Sequence, residues 1–367
     1  MHLVFWQPIP SFHQEGFLCA LAQADWVDSV TLKYESELPA DRRQSGWRDG
    51  NFQGVKLEQI RVLEVPEDTD AHIHIFTGFQ THPMIWAAFH RLPRVAQCRR
   101  FAFAEAPESI GLKGILRRVK YQVASRRIAP RLDGMLALGQ LGVDFYRSVL
   151  PNSVLVHEFA YYDMRLSALS QSGLPNTFVG QATTSLQPPA ESFRFLYVGQ
   201  LIRRKGLYRL FKALAKIAHL QWVLTVVGQG PSAVKLRRIA ERQGFAHKIE
   251  WMGMRPQAEL NIYYSKADAV ILPSVWDGWG MTVNEALRFG VQAFASSTCG
   301  AASALPSEMQ LPKHVRNWAP FFESKILQGR LTLEDRAAYQ KLATALTGEA
   351  GAECLRHILL TSHAESL

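Results

Sequence analysis

The strongest constraint on the fold is a regular exchange of short apolar runs with helical stretches, repeated on both sides of one polar interruption. In the second half, apolar runs lie at 193–198, 222–227, 249–252, 269–272 and 291–295, separated by segments of helical period. In the first of those segments Leu207, Leu210, Phe211, Leu214 and Ile217 share one helix face. In the first half, candidate strands lie at 3–6, 27–34, 60–65, 72–76, 100–104, 134–138 and 153–159. Between the two sets, residues 171–192 are rich in Ser, Thr, Gly, Pro and Gln, lack a hydrophobic period and read as a linker. Such alternation builds parallel sheets covered on both faces, so the expected class is α/β in two domains, 1–170 and 193–320. Two such domains bind ligand in the cleft between them, at the carboxyl ends of the strands.

A length of 367 residues agrees with two domains at roughly 100–200 residues each. With 47% hydrophobic and 20% charged residues, wholesale disorder is excluded. No apolar run approaches the roughly 18–20 residues that span a bilayer. Residues 1–6 read as a first strand, not a signal peptide. Four cysteines, Cys19, Cys98, Cys299 and Cys354, form no CxxC pair, which argues against a zinc site or disulfide framework and fits a reducing compartment.

Charge is the remaining clue. With 41 Lys+Arg against 32 Asp+Glu the chain carries +9, which suits an anionic ligand, nucleic acid or an acidic membrane. Residues 91–131 hold eleven Lys/Arg against Glu105 and Glu108, a surplus equal to that of the whole chain. There Leu112, Ile115, Leu116 and Val119 recur at helical spacing among Lys113, Arg117, Arg118 and Lys120. That pattern reads as a basic amphipathic helix at a membrane, or as a surface helix whose apolar stripe faces the core. Few interleaved aromatics and no recognition motif argue against nucleic acid.

Four clusters follow predicted strands in the second half. Gly199-Gln200-Leu201-Ile202-Arg203-Arg204-Lys205-Gly206 puts cations beside a helix start, as a diphosphate clamp requires; basic loops are also common. Gly228-Gln229-Gly230-Pro231 permits close backbone approach to a ligand, or simply a tight turn of positive φ. In the run from Pro273-Ser274 to Leu287, Asp277 sits in a loop and Glu285 inside a helix that begins near Gly280. The amides of Gly280, Met281 and Thr282 suit a phosphate, and the two carboxylates suit sugar hydroxyls; capping and solvation would explain them equally. Gly290, the run at 291–295 and residues 296–300 close the unit.

In this order and spacing, Lys205-Gly206, Gly228-Gln229-Gly230-Pro231, Pro273-Ser274 and Asp277…Glu285-Ala286 resemble the donor-binding half of family 4 glycosyltransferases. The resemblance runs from about Phe193 to Gly300. It implies the GT-B fold, two Rossmann-like α/β/α domains facing a central cleft, with helices at 321–367 crossing back to the first domain. It also implies an enzyme that moves a sugar from a nucleotide-diphosphate sugar, UDP- or GDP-linked, with retention of configuration. Lys205 with Arg204 or Arg203 would bind the diphosphate, Glu285 the ribose hydroxyls, and Asp277 the donor sugar. The amides after Gly280 would hold the distal phosphate. Residues 253–260, with Met254, match the region flanking the base. Two positions depart from the family pattern: Asp277 stands where Glu is usual, and Gln200 where Arg often stands. Both bear on donor identity.

On the acceptor side, Pro8-Ile9-Pro10-Ser11-Phe12-His13-Gln14-Glu15-Gly16 replaces the Gly-Gly loop of many relatives, which points to His13. Glu105 stands where many relatives carry a His near the reacting sugar, and His82 is a third candidate. No Asp-x-Asp aligns with a strand end, so no metal and no other cofactor is expected; cations and helix amides would stabilise the leaving group. No covalent nucleophile stands out, which favours attack on the leaving-group face. Trp318 covers the cleft or belongs to a core. The acceptor is expected to be a glycan or lipid-linked, in surface polysaccharide or lipopolysaccharide-type synthesis. The expected setting is cytoplasmic, peripheral at the inner membrane face through residues 91–131. A non-catalytic nucleotide-sugar-binding subunit and a GT-B epimerase or phosphorylase are the competing readings.

Overall fold

The computed structural model describes residues 1–44, 47–60, 72–78, 82–93, 95, 97–164 and 191–364. They divide into two compact units, unit 1 over residues up to 164 with 345–364, and unit 2 over residues 191–344.

Unit 1 is a seven-stranded parallel sheet in the order β3-β2-β1-β4-β5-β6-β7. Its strands are β1 (His2–Gln7), β2 (Ser29–Tyr34), β3 (Val55–Gln59), β4 (His72–Thr77), β5 (Cys98–Glu105), β6 (Gly134–Leu138) and β7 (Val156–Phe159). The central strands read as unbroken apolar runs because helices cover both faces; every residue of β6 is buried. The helices are α1 (Glu15–Gln23), α2 (Ala40–Gln44), α3 (Pro83–Arg91), α4 (Gly111–Ile128) and α5 (Gly139–Arg147).

The strand described in this region is not the expected 60–65 run. Residues 61–65 lie outside the described residues, and the strand runs over Val55–Gln59. It is an edge strand in which Val55 and Leu57 alternate with Lys56 and Glu58, and Glu58 pairs with Lys33 and Lys56. An edge needs no continuous apolar run, so its signal is faint.

Unit 2 is a six-stranded parallel sheet in the order β10-β9-β8-β11-β12-β13. Its strands are β8 (Phe193–Val198), β9 (Trp222–Val227), β10 (Ile249–Gly253), β11 (Ala269–Leu272), β12 (Gln292–Ser296) and β13 (Gln310–Leu311). Helices α6 (Leu207–Leu214), α7 (Ala233–Arg242), α8 (Leu260–Lys266) and α9 (Thr282–Arg288) connect them. On α6 the spaced set Leu207, Leu210, Phe211 and Leu214 is buried as its period predicts.

The C-terminal segment divides differently from the expected boundary at 321. Helices α10 (Trp318–Gln328) and α11 (Leu333–Ala343) stay with unit 2: Phe322 is buried against Phe195 and Phe294, and Trp318 packs on Phe322. Trp318 is therefore a core residue, its indole N–H donating to the Pro312 carbonyl at 2.7 Å. Thr332 caps α11 in a capping box with Asp335.

Only α12 (Gly348–Ala364) and its lead-in return to unit 1. There the Gly348 amide donates to the Met164 carbonyl at 2.6 Å, and Arg99 donates to the Leu359 carbonyl at 2.9 Å. A Cβ on Gly348 would stand 2.1 Å from the Gly16 carbonyl oxygen, so α12 and α1 meet backbone to backbone. No helix among the described residues is long and apolar enough to cross a membrane. All four cysteines are unpaired.

Candidate active site

In unit 2 the strand order reverses between β8 and β11, so the loops leaving their carboxyl ends diverge and open a crevice. Lys205 and Asp277 meet there, Nζ to Oδ2 at 2.6 Å. The Ser274 hydroxyl donates to the same oxygen at 3.2 Å, and Arg204 stands 3.6 Å from the other. Arg204 also donates to the Trp276 carbonyl at 2.8 Å. Arg203 is exposed. The backbone fixes this geometry. Residues Arg203–Lys205 form a 3-10 turn ended by Gly206 at φ 75°, where a Cβ would stand 1.9 Å from the Pro273 carbonyl oxygen. A side chain at 206 would push the two loops apart.

Gly228 and Gly230 serve the same framework. Gly228 has φ 141°, and its Cβ would meet the Gly199 carbonyl oxygen at 1.9 Å. The Leu201 amide donates to the Gln229 carbonyl at 2.9 Å. These glycines therefore let the loop after β9 carry the loop that holds the cations.

Glu285, partly buried on α9, accepts from Gln257 Nε2 at 2.7 Å on one oxygen and from the Tyr264 hydroxyl on the other. Burial raises its pKa, and the two hydrogen bonds and Arg288 oppose that rise. Gln257 belongs to the segment after β10, in which Met254 is exposed. The Val283 amide closes onto the Gly280 carbonyl at 2.9 Å, so the amides of Gly280, Met281 and Thr282 lie ahead of the first closed turn. Beside Asp277, burial and the carboxylate push the Cys299 thiol up to about 12, so it stays protonated.

In unit 1 the reversal falls between β1 and β4. His13, in the 3-10 turn Phe12–Gln14 after β1, packs its ring against Phe12 and Trp47, with centroids 3.9 and 4.9 Å away. Burial, then Arg48 and Arg42, lower its pKa to about 4, so the imidazole is neutral at pH 7. His82 stands at the N-cap position of α3 with Nδ1 3.8 Å from Glu35, and Glu35, not the imidazole, accepts a first-turn amide, that of Ile85 at 3.2 Å. That set secures a helix start. Glu105 ends β5, exposed, with the Tyr161 hydroxyl hydrogen-bonded to its carboxylate and the Tyr146 hydroxyl donating to its carbonyl at 3.0 Å.

The structure thus joins Arg204, Lys205 and Asp277 in one cluster and ties the segment around Met254 to Glu285. His13, His82 and Glu105 follow or end the neighbouring strands β1, β4 and β5 at their carboxyl ends, each with separate partners. Ser274, Gln257, Tyr264, Trp47 and Tyr161 escaped the sequence reading as site residues. Ser274 and Gln257 fell inside motifs already singled out, whereas Tyr264 reads from sequence as one more apolar helix residue.

Residues 182–308 match the family model for glycosyl transferases group 1. An uncharacterized glycosyltransferase of Methanocaldococcus jannaschii is 30% identical over 115 residues, covering 31% of this chain and 30% of that protein. A lipopolysaccharide 1,6-galactosyltransferase of Salmonella typhimurium is 28% identical over 120 residues, covering 31% and 33%. The chain therefore spans about a third of the length of these curated relatives. Solved structures match along nearly the whole chain. The lipopolysaccharide outer core galactosyltransferase WaaB in its apo form gives a TM-score of 0.67 at 13% identity, covering 98% of this chain and 99% of that one. Anabaena HepE in complex with UDP gives 0.63 at 14% identity, covering 100% of both. The second half of this chain is therefore similar to glycosyl transferases group 1, within a chain that has the GT-B fold.

Proposed function

We propose that the protein is a retaining, family 4-type glycosyltransferase that moves a sugar from a nucleoside-diphosphate sugar to a glycan or lipid-linked acceptor. The observation that carries this reading is the cation cluster at the reversal of unit 2: Arg204 and Lys205 share one carboxylate, Asp277, and Arg203 stands exposed beside them. Three cations against one anion leave a positive charge that a diphosphate would complete. UDP is the favoured carrier, because Anabaena HepE was solved with UDP and with UDP-glucose.

In the proposed reaction Lys205 passes from Asp277 to the diphosphate and stabilises it as it leaves. Asp277, released, turns to the donor sugar's hydroxyls. Glu285 is held by Gln257 and Tyr264 with a lone pair on each oxygen still open to the ribose hydroxyls. The acceptor hydroxyl attacks the anomeric carbon from the face that the diphosphate leaves. Its proton passes to a phosphate oxygen, the glycosidic bond forms, and the carbon–phosphate oxygen bond breaks. His13 and Glu105 orient the acceptor. The charge work falls to cations and amides, so no metal is required. The setting is the cytoplasm, at the inner membrane face, in surface-glycan synthesis.

The test is a panel of UDP-, GDP- and dTDP-sugars, read by thermal stabilisation and by donor hydrolysis in EDTA, with Glu285→Ala as control. One donor should stabilise the protein and be hydrolysed without metal, and Glu285→Ala should lose both effects. Binding untouched by that substitution would remove the site assignment. Binding without hydrolysis or transfer would make the chain a nucleotide-sugar-binding subunit. An inverted anomeric proton in the product's NMR spectrum would remove the same-face mechanism.

A further inference from the structure

Helix α4 is amphipathic, and its apolar stripe points away from the core. Leu112, Ile115, Leu116, Val119 and Val123 follow at three- and four-residue steps and are 80, 61, 71, 51 and 53% exposed. At about 3.6 residues per turn the opposite face is formed by Gly114, Tyr121, Ser125 and Ile128. That face is the one fixed to unit 1. A Cβ on Gly114 would stand 2.2 Å from the Ser109 carbonyl oxygen, the Ser125 hydroxyl donates to the Val149 carbonyl at 2.6 Å, and Tyr121 packs edge-on against Phe145. Rolling the helix to bury the stripe would break all three contacts.

The same helix carries Lys113, Arg117, Arg118, Lys120, Arg126 and Arg127 and no acidic residue. Lys113, Lys120 and Arg127 run along one side of the stripe, and Arg126 stands at its end. Other cations of residues 91–131 serve the fold instead: Arg99 holds the Leu359 carbonyl, Arg100 the Leu92 carbonyl and Arg131 the His90 carbonyl. The basic surplus is therefore gathered on the helix whose apolar side chains are exposed.

We infer that α4 docks unit 1 on an anionic lipid surface, with the stripe at the acyl-chain boundary and the flanking cations among the headgroup phosphates. A second copy of the chain fits poorly, because a two-fold contact through this face would set cations against cations with no acid in the helix to answer them. At 18 residues the helix is roughly 27 Å long, enough to lie along the interface. The inference deepens the membrane side of the proposed function and rests on it only for the placing of the acceptor.

Co-sedimentation of the full chain with phosphatidylcholine vesicles, with and without phosphatidylglycerol, tests it. Binding should require phosphatidylglycerol and weaken as salt rises. Leu112→Ser with Leu116→Ser should weaken it by about tenfold or more. Lys113→Glu, Lys120→Glu and Arg127→Glu together should abolish the preference for the anionic vesicle. These exposed substitutions should leave the melting temperature and the stabilisation by nucleotide sugar unchanged, which separates docking from donor binding. Vesicle binding by a protein that recognises no nucleotide sugar would support docking and overturn the transfer reading. Three results would overturn docking: no binding to the anionic vesicle, equal binding by the leucine variant, or a solution dimer that the leucine variant dissociates.

Discussion

The two sheets reverse strand order at corresponding places, between β1 and β4 and between β8 and β11, yet the residues at the two reversals differ in kind. At the second, charges are locked together: Lys205 and Arg204 on Asp277, with Ser274 below. At the first, a neutral imidazole lies against aromatic rings, and the nearby guanidiniums of Arg42 and Arg48 stack on Trp47 and Phe12. One topology therefore supplies two chemistries. In the proposed reaction the fixed cations would meet the leaving diphosphate, and the aromatic surface beside the neutral imidazole would meet the acceptor hydroxyl.

The largest expected effect tests that division directly. Lys205→Ala should lower transfer by about a thousandfold and remove stabilisation by the donor. His13→Ala should lower turnover by about a hundredfold and leave donor stabilisation intact. Steady-state kinetics beside thermal melts would read both, and equal loss of donor stabilisation in the two variants would break the comparison.

A smaller effect concerns pH. His13 and His74 have pKa values lowered from 6.5 to about 4 and about 3, in both cases chiefly by burial. The Trp6 indole N–H donates to His74 Nδ1 at 3.1 Å, which keeps that ring neutral. Because the unfolded chain takes up these protons first, their neutral forms stabilise unit 1 above pH 6.5 and that stability is lost as pH falls from 6.5 toward 4. Each contributes a slope of up to about 1.4 kcal/mol per pH unit, less for the partly exposed His13. Glu285 works in the opposite sense: its raised pKa means that stability present below the ordinary carboxylate pKa is lost as pH rises through the folded value. Amide hydrogen exchange between pH 7 and 5, with β1 reporting unit 1 and β8 unit 2, should show unit 1 weakening first, and His74→Gln should flatten the trend.

The smallest effect should come from Thr332→Ala, which removes the cap of α11. It should cost about 1 kcal/mol and lower the melting of unit 2 while leaving unit 1 unchanged.

How legible these features were depended on what each residue must satisfy. Strands buried on both faces, such as Ala269–Leu272, announce themselves through composition. The edge strand Val55–Gln59 has only one neighbouring strand to satisfy and carries charges that blur its pattern. The spacing of Lys205, Asp277 and Glu285 was readable because loops at strand ends are ordered by the chain itself. That Lys205 grips Asp277, or that Tyr264 and Gln257 grip Glu285, depends on side-chain reach across separate elements, which spacing does not encode. On α4 the period was plain and the direction was not. Leu116 looks the same in sequence whether it faces a core or water; Gly114 and Ser125 decide it by fitting closely against neighbouring backbone.

The return of residues 345–364 to unit 1 has a consequence for how the protein is made. Unit 2 is one continuous stretch and can close as soon as it has been synthesised. Unit 1 begins first and finishes last: the backbone of α1 at Gly16 waits for Gly348, which leaves the ribosome after the whole of unit 2. Birth order and folding order are thus inverted, and a late stop codon would do its damage in the half of the protein encoded first.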